Sequence, residues 1–178
     1  MIQMITDKIV SCIDLYQDRR INPGGLIMNE EPIYNRNIAK EWYQRGLKYQ
    51  DDDFTRFMMY WIAFNWLYGE ESGEEFERGK IVKYYKKHRN KFDKYDPFGD
   101  PIINCFYEGP IYSDKSERDT TEDFAGIKHQ KATHLLLSIY QVRCNLFHGS
   151  KQLRVPRDQE LVKASANILV RYLEHLVE

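Results

Sequence analysis

The side chains with the most chemical potential in this chain are Arg143 and His148, five positions apart in the run Val142-Arg143-Cys144-Asn145-Leu146-Phe147-His148-Gly149. Arginine is a permanent planar cation whose N–H donors match phosphate oxygens. Histidine has an unperturbed pKa near neutrality, so it can give or take a proton there. Together they suffice for metal-free cleavage of RNA. The 2′-hydroxyl attacks the adjacent phosphorus, histidine handles a proton, and arginine stabilises charge on the phosphoryl oxygens. The same pair has a plainer reading, in which Arg143 ion-pairs locally and His148 caps a helix C-terminus. On a straight helix the two would lie about 140° apart. They converge only if the helix ends near His148, where Gly149 is placed to end it, with Asn145 one turn below the imidazole.

Local charge favours phosphate contact. The 178-residue chain has 26 basic and 27 acidic side chains, a net charge of −1, which excludes histone-like binding through bulk charge. Phe124 to Arg157 nevertheless contains no acid and six bases, leaving −7 for the remainder. Lys151, Arg154 and Arg157 follow the motif directly, where a phosphate backbone would pass. A second basic run, Lys80 to Lys94, interleaves Tyr84, Tyr85 and Phe92. It reads either as an RNA surface combining stacking and charge or as a solvated amphipathic helix beginning with Glu74, Glu75 and Glu77.

Other chemistries lack their parts. No GxxxxGK[ST], GxGxxG or HExxH sequence occurs, and the five histidines do not pair at i, i+4. No metal site and no cofactor are therefore expected. Asp51-Asp52-Asp53 reads as helix capping rather than a cation site. Cys144 and His148 stand at the spacing of a nucleophilic dyad but lack a third member, and a helix-borne cysteine is more often packing. Cys12, Cys105 and Cys144 are odd in number and far apart, which suits reduced thiols. No 18-residue apolar stretch or signal-like start is present. The expectation is a soluble cytoplasmic protein without a membrane partner.

The elements that must position these residues read as helices. With 42% hydrophobic and 14% aromatic residues, the chain can build a sizeable core. A stripe from Ile5 to Tyr16 predicts a first helix, and another is expected over 37–49. Asp53 to Tyr68 is the most apolar segment, with Gly69 as its stop and Asn65 a polar side chain that needs a partner or orients Arg143 or His148. Ser72-Gly-Glu-Glu75 has capping-box form and predicts a helix running into the 80s and 90s. Lys131 to Phe147 is amphipathic, and a last helix is expected from Pro156, a favourable first-turn residue, to the C-terminus. Residues 96 to 123 read as an irregular excursion rather than core, with a strand over Ile102–Tyr107 as a minor alternative. The prediction is a single all-α domain over 1–178. Its core helices lie within 37–95 and 127–178, residues 1–36 form an N-terminal extension, and the insertion spans about 96–123.

Arg143-Cys-Asn-Leu-Phe-His148-Gly149-Ser-Lys151, followed by Arg157-Asp158 and an amphipathic helix, resembles the motif region of HEPN domains. These are all-α domains marked by Arg, four to six residues, then His. Tyr60-Trp61-Ile62-Ala63-Phe64-Asn65-Trp66-Leu67-Tyr68 is similar to their aromatic helix with a central Asn. The likeness covers Asp53 to Leu67 and Lys131 to Leu176. It implies a metal-independent endoribonuclease acting as a toxin or in phage defence, with RNA as substrate. Arg143, His148 and Asn145 would be catalytic, and Lys151, Arg154 and Arg157 would bind phosphate. It further implies a homodimer whose motifs share a cleft, and an antitoxin or sensor protein as partner. Some members of the family have lost catalysis and bind a nucleotide, RNA or a protein instead. The chain departs from the family in placing Cys144, not a polar residue, directly after the arginine.

Overall fold

The computed structural model describes residues 31–69, 71, 73–74, 76–108, 111, 128–147 and 155–178. Pro32–Glu178 forms one compact unit. The protein is all-α: every regular element among the described residues is helical. In order these are α1 (Glu31–Gly46), α2 (Asp53–Tyr68), α3 (Glu77–Lys87), the single turn α4 (Arg89–Phe92), two 3-10 turns (Pro97–Gly99 and Pro101–Ile103), the short α5 (Asn104–Tyr107), α6 (Lys128–Phe147) and α7 (Pro156–Leu176). The predicted first helix lies outside the described residues. No described helix is long and apolar enough to cross a membrane.

The central helix, α2, starts where its sequence requires. Asp52 accepts from the Thr55 amide at 3.0 Å and so caps the first turn. Phe57, Trp61, Phe64 and Tyr68 then recur at helical spacing, and all four are buried. Their rings form a ladder of edge-to-face contacts, with Trp61–Phe64 centroids 5.8 Å apart and Phe64–Tyr68 centroids 5.0 Å apart. Each such pair contributes about 0.5–1.5 kcal/mol beyond its area. The helix closes at Gly69, whose amide donates to the Asn65 carbonyl at 2.8 Å. Gly69 stays right-handed, at φ −59°, and Lys80 Nζ binds its carbonyl at 2.8 Å, fastening the end of α2 to α3.

The main partner of α2 is α7. Pro156 sits in the first turn of α7 as expected, and Leu161, Ile168, Leu169, Tyr172, Leu173 and Leu176 form its buried stripe. Helix α6 presents Leu135, Leu136, Ile139 and Val142 to the core and packs on α3 and α7.

Four expectations need correction. Helix α1 begins at Glu31, six residues before the predicted start, because Pro32 is tolerated in a first turn. Helix α3 opens at Glu77 with Phe76 as its N-cap and no side-chain cap bond; Ser72 and Glu75 of the predicted capping box lie outside the described residues. It also breaks at His88, leaving Arg89–Phe92 as a separate turn. The described part of 96–123 is not an excursion. Asp96 Oδ1 caps Phe98 N at 3.1 Å and Asp100 Oδ1 caps Ile102 N at 3.0 Å. Each Asp-Pro step thereby folds into a 3-10 turn. The turns bury Pro97 and Ile103, α5 buries Cys105 and Phe106, and α5 packs on α7. Residues 102–107 are accordingly helical rather than a strand.

Candidate functional site

Arg143 lies in the last turn of α6, and three elements hold it. Its guanidinium carbon sits 4.8 Å from the Phe147 ring centroid, one turn on in α6, and 5.8 Å from that of Trp61 in α2. The Trp61 ring reaches α6 again at Tyr140, 6.0 Å between centroids. The third element is α3. Its first residue, Glu77, places Oε2 3.6 Å from Arg143 Nη1, while its Oε1 accepts from the buried Tyr68 hydroxyl. The Arg143 side chain is 18% exposed. Its Nε is buried with no hydrogen-bond partner among the described residues, and Nη1 approaches Cys144 Sγ at 3.8 Å.

This packing sets the electrostatics. Burial opposes the charge of Arg143, but Glu77, Tyr68 and Cys144 outweigh it and raise its pKa above the ordinary arginine value. Burial raises the Tyr68 pKa well above that of a free phenol, and the charge and hydrogen bond of Glu77 raise it further. Burial, then contact with Cys144, likewise raises Tyr140. Both phenols stay neutral at physiological pH, and Arg143 stays charged in a desolvated position. Such a cation favours an anion that supplies aligned acceptors.

The other predicted site residues fall in different places. Asn145 is buried and accepts from Gln141 Nε2 at 2.7 Å, on the opposite side of α6 from Arg143. Cys144 is half-buried beside Arg143. Asn65 is half-buried rather than enclosed; no hydrogen bond joins it to Arg143 among the described residues. Arg157, in the first turn of α7, exerts its field on Cys105 of α5. His148, Lys151 and Arg154 lie outside the described residues. No family model, curated protein or solved structure matches this chain.

Glu77 and Tyr68 were not singled out from sequence as parts of this site. The available signal was an acid opening a helix that is otherwise basic, which the dipole alone explains. Its pairing with Arg143, 66 positions away, is a tertiary fact. Among the described residues no three His, Cys, Asp or Glu side chains gather as metal ligands.

Proposed function

We propose that the chain is a metal-independent endoribonuclease of the HEPN type, a toxin or phage-defence effector that cuts RNA by 2′-hydroxyl attack. The observation that supports this reading is the state of Arg143: charged, desolvated, held between two aromatic rings, and retaining a buried Nε with no partner among the described residues. A phosphoryl oxygen brought to that guanidinium meets a preorganised donor in a low-dielectric setting, where it is worth most. His148, five residues on, moves the proton. The 2′-oxygen forms a bond to phosphorus as it loses its proton, the bond to the 5′-oxygen breaks, and the 5′-oxygen leaves as a hydroxyl. A 2′,3′-cyclic phosphate remains. In this reading Lys151, Arg154 and Arg157 hold flanking phosphates. The family likeness adds a homodimer with a shared cleft, a cytoplasmic setting, and an antitoxin or sensor partner.

One observation favours the runner-up, a HEPN-like module that binds a nucleotide, RNA or protein without cutting. Glu77 already supplies Arg143 with a counter-ion. One experiment separates the two. Purified protein is incubated with single-stranded RNA and transfer RNA in EDTA, beside matched DNA. The nuclease reading expects RNA fragments ending in a cyclic phosphate and intact DNA. His148→Ala should lower turnover by about 10² to 10⁴ with RNA affinity retained. Binding of RNA or a nucleotide with no cleavage under any condition gives the module.

A further inference from the structure

The basic run Lys80 to Lys94 offered Tyr84, Tyr85 and Phe92 as rings to stack on RNA, but all three are buried in the core. The rings around Arg143 are engaged as well. Trp61 is buried, Phe147 lies against the guanidinium, and Tyr140 lies against Trp61. One ring beside the site is open. Phe76 is 74% exposed, the most exposed large apolar side chain among the described residues, and it makes no ring contact among them.

A single exposed apolar side chain needs no explanation; the position of this one does. Phe76 is the N-cap of α3, with extended backbone at φ −107° and ψ 144° and no side-chain cap bond. Ser, Thr, Asp or Asn there would satisfy a first-turn amide, which a phenyl ring cannot. Nor is the ring a hydrophobic staple, which packs against the first turns of its helix. The chain thus forgoes a cap and leaves the ring in water at the residue before Glu77, whose carboxylate lies 3.6 Å from Arg143 Nη1. A local rule broken with no gain to the fold marks a side chain kept for another purpose.

The surroundings define what that ring can receive. Adjacent Cα atoms are about 3.8 Å apart, so the ring stands one residue from the acid that meets the guanidinium. Two carboxylates flank it. Glu77 follows it, and the exposed Glu74 folds its carboxylate against Gly79, where an added Cβ would collide with it. These acids disfavour a phosphate beside the ring and leave Arg143 as the place for one. A nucleobase is neutral and has a π-face, which stacks on an aromatic side chain whatever the base. The two halves of a nucleotide therefore find separate partners, the phosphate at Arg143 and the base at Phe76. Such stacking needs a base splayed out of any helix.

We propose that Phe76 stacks on the base next to the phosphate held at Arg143, which makes an unpaired strand, not a duplex, the ligand of this site. The inference rests on the reading of Arg143 as a phosphate site. The test is fluorescence anisotropy with a 2′-O-methyl single strand, which has no free 2′-hydroxyl and cannot be cut, beside the same strand carrying abasic spacers. Phe76→Ala should weaken binding of the base-bearing strand by about 5- to 100-fold. The slope of log affinity against log salt should stay unchanged, because a neutral ring releases no counter-ions. On the abasic strand, Phe76→Ala and the parent should bind alike. Phe76→Trp keeps a ring and should hold the parent affinity, as should Tyr49→Ala, which removes an exposed ring elsewhere. Phe76→Ser separates binding from folding: the new cap should raise Tm by roughly 1–8 °C, while affinity falls as far as with alanine. A folded Phe76→Ala or Phe76→Ser variant as tight as the parent overturns the stacking role and leaves the phosphate reading intact. So does an equal loss on the abasic strand. A parent that binds neither strand overturns both. Ring-dependent binding of an RNA whose unmodified form is never cut sustains the stacking role and removes the nuclease.

Discussion

Replacing Glu77 tests whether the Arg143 site is built as described. Two groups depend on that carboxylate. The Tyr68 hydroxyl is fully buried and donates to Oε1, and a buried hydroxyl left without an acceptor costs about 1–3 kcal/mol. The Arg143 guanidinium lies 3.6 Å from Oε2, where two unit charges attract by about 5 kcal/mol at an effective dielectric of 20. Both side chains keep some solvent, 18% and 29% exposed, so screening and recovered hydration leave about 1–2 kcal/mol of that attraction. Loss of an acid from the first turn of α3 adds about 0.3–1 kcal/mol. Glu77→Ala should therefore destabilise the protein by about 2–6 kcal/mol, a fall in Tm of roughly 5–24 °C for a chain of this size. Glu77→Gln keeps an acceptor for Tyr68 and should cost about half as much. Urea unfolding of the two variants, of Tyr68→Phe and of the double variant gives the Glu77–Tyr68 coupling directly. A Glu77→Ala variant within about 0.5 kcal/mol of the parent, or a glutamine as damaging as the alanine, refutes the reasoning.

Further outcomes follow from packing and titration. Tyr68, Tyr84 and Tyr172 all have pKa values raised first by burial, so the folded state holds their protons after the unfolded chain has begun to lose them near pH 10. Stability is then complete below about pH 10 and falls above it by up to about 4 kcal/mol per pH unit for the three; the phenolate absorbance of these three should rise with unfolding rather than ahead of it. A Cβ at Gly46 would press into the Tyr60 ring, so Gly46→Ala should lower stability by about 1–3 kcal/mol in urea unfolding. Burial pushes the Cys105 thiol up to about 11, so maleimide at neutral pH should label it only after denaturation, whereas half-buried Cys144 should react in the native protein.

Much of the helical frame was legible in the sequence. Asp52, the Phe57–Trp61–Phe64–Tyr68 spacing and Gly69 define α2 from end to end, and Pro156 with the stripe behind it defines α7. Those signals are local and mutually consistent, which is what makes a pattern readable. The Asp-Pro turns after Asp96 misled because proline and glycine mark both loops and helical first turns, and only packing against α7 decides between them. At the site, Arg143 stood out by residue type. Its anchoring did not, because Trp61, Tyr68 and Glu77 come to it from two other helices. Asn145 was chosen for its position in the motif, yet it lies on the buried side of α6 and bonds Gln141.

The clamp around Arg143 has a bearing on descent. The guanidinium is also a structural part, wedged between Trp61 and Phe147 and tied to Tyr68 through Glu77. A descendant released from all phosphate chemistry would still be penalised for discarding that arginine, because its loss would strand a carboxylate and open a gap at the aromatic ladder. An arginine retained at this position among related chains would therefore record the needs of the core, whatever had become of the chemistry.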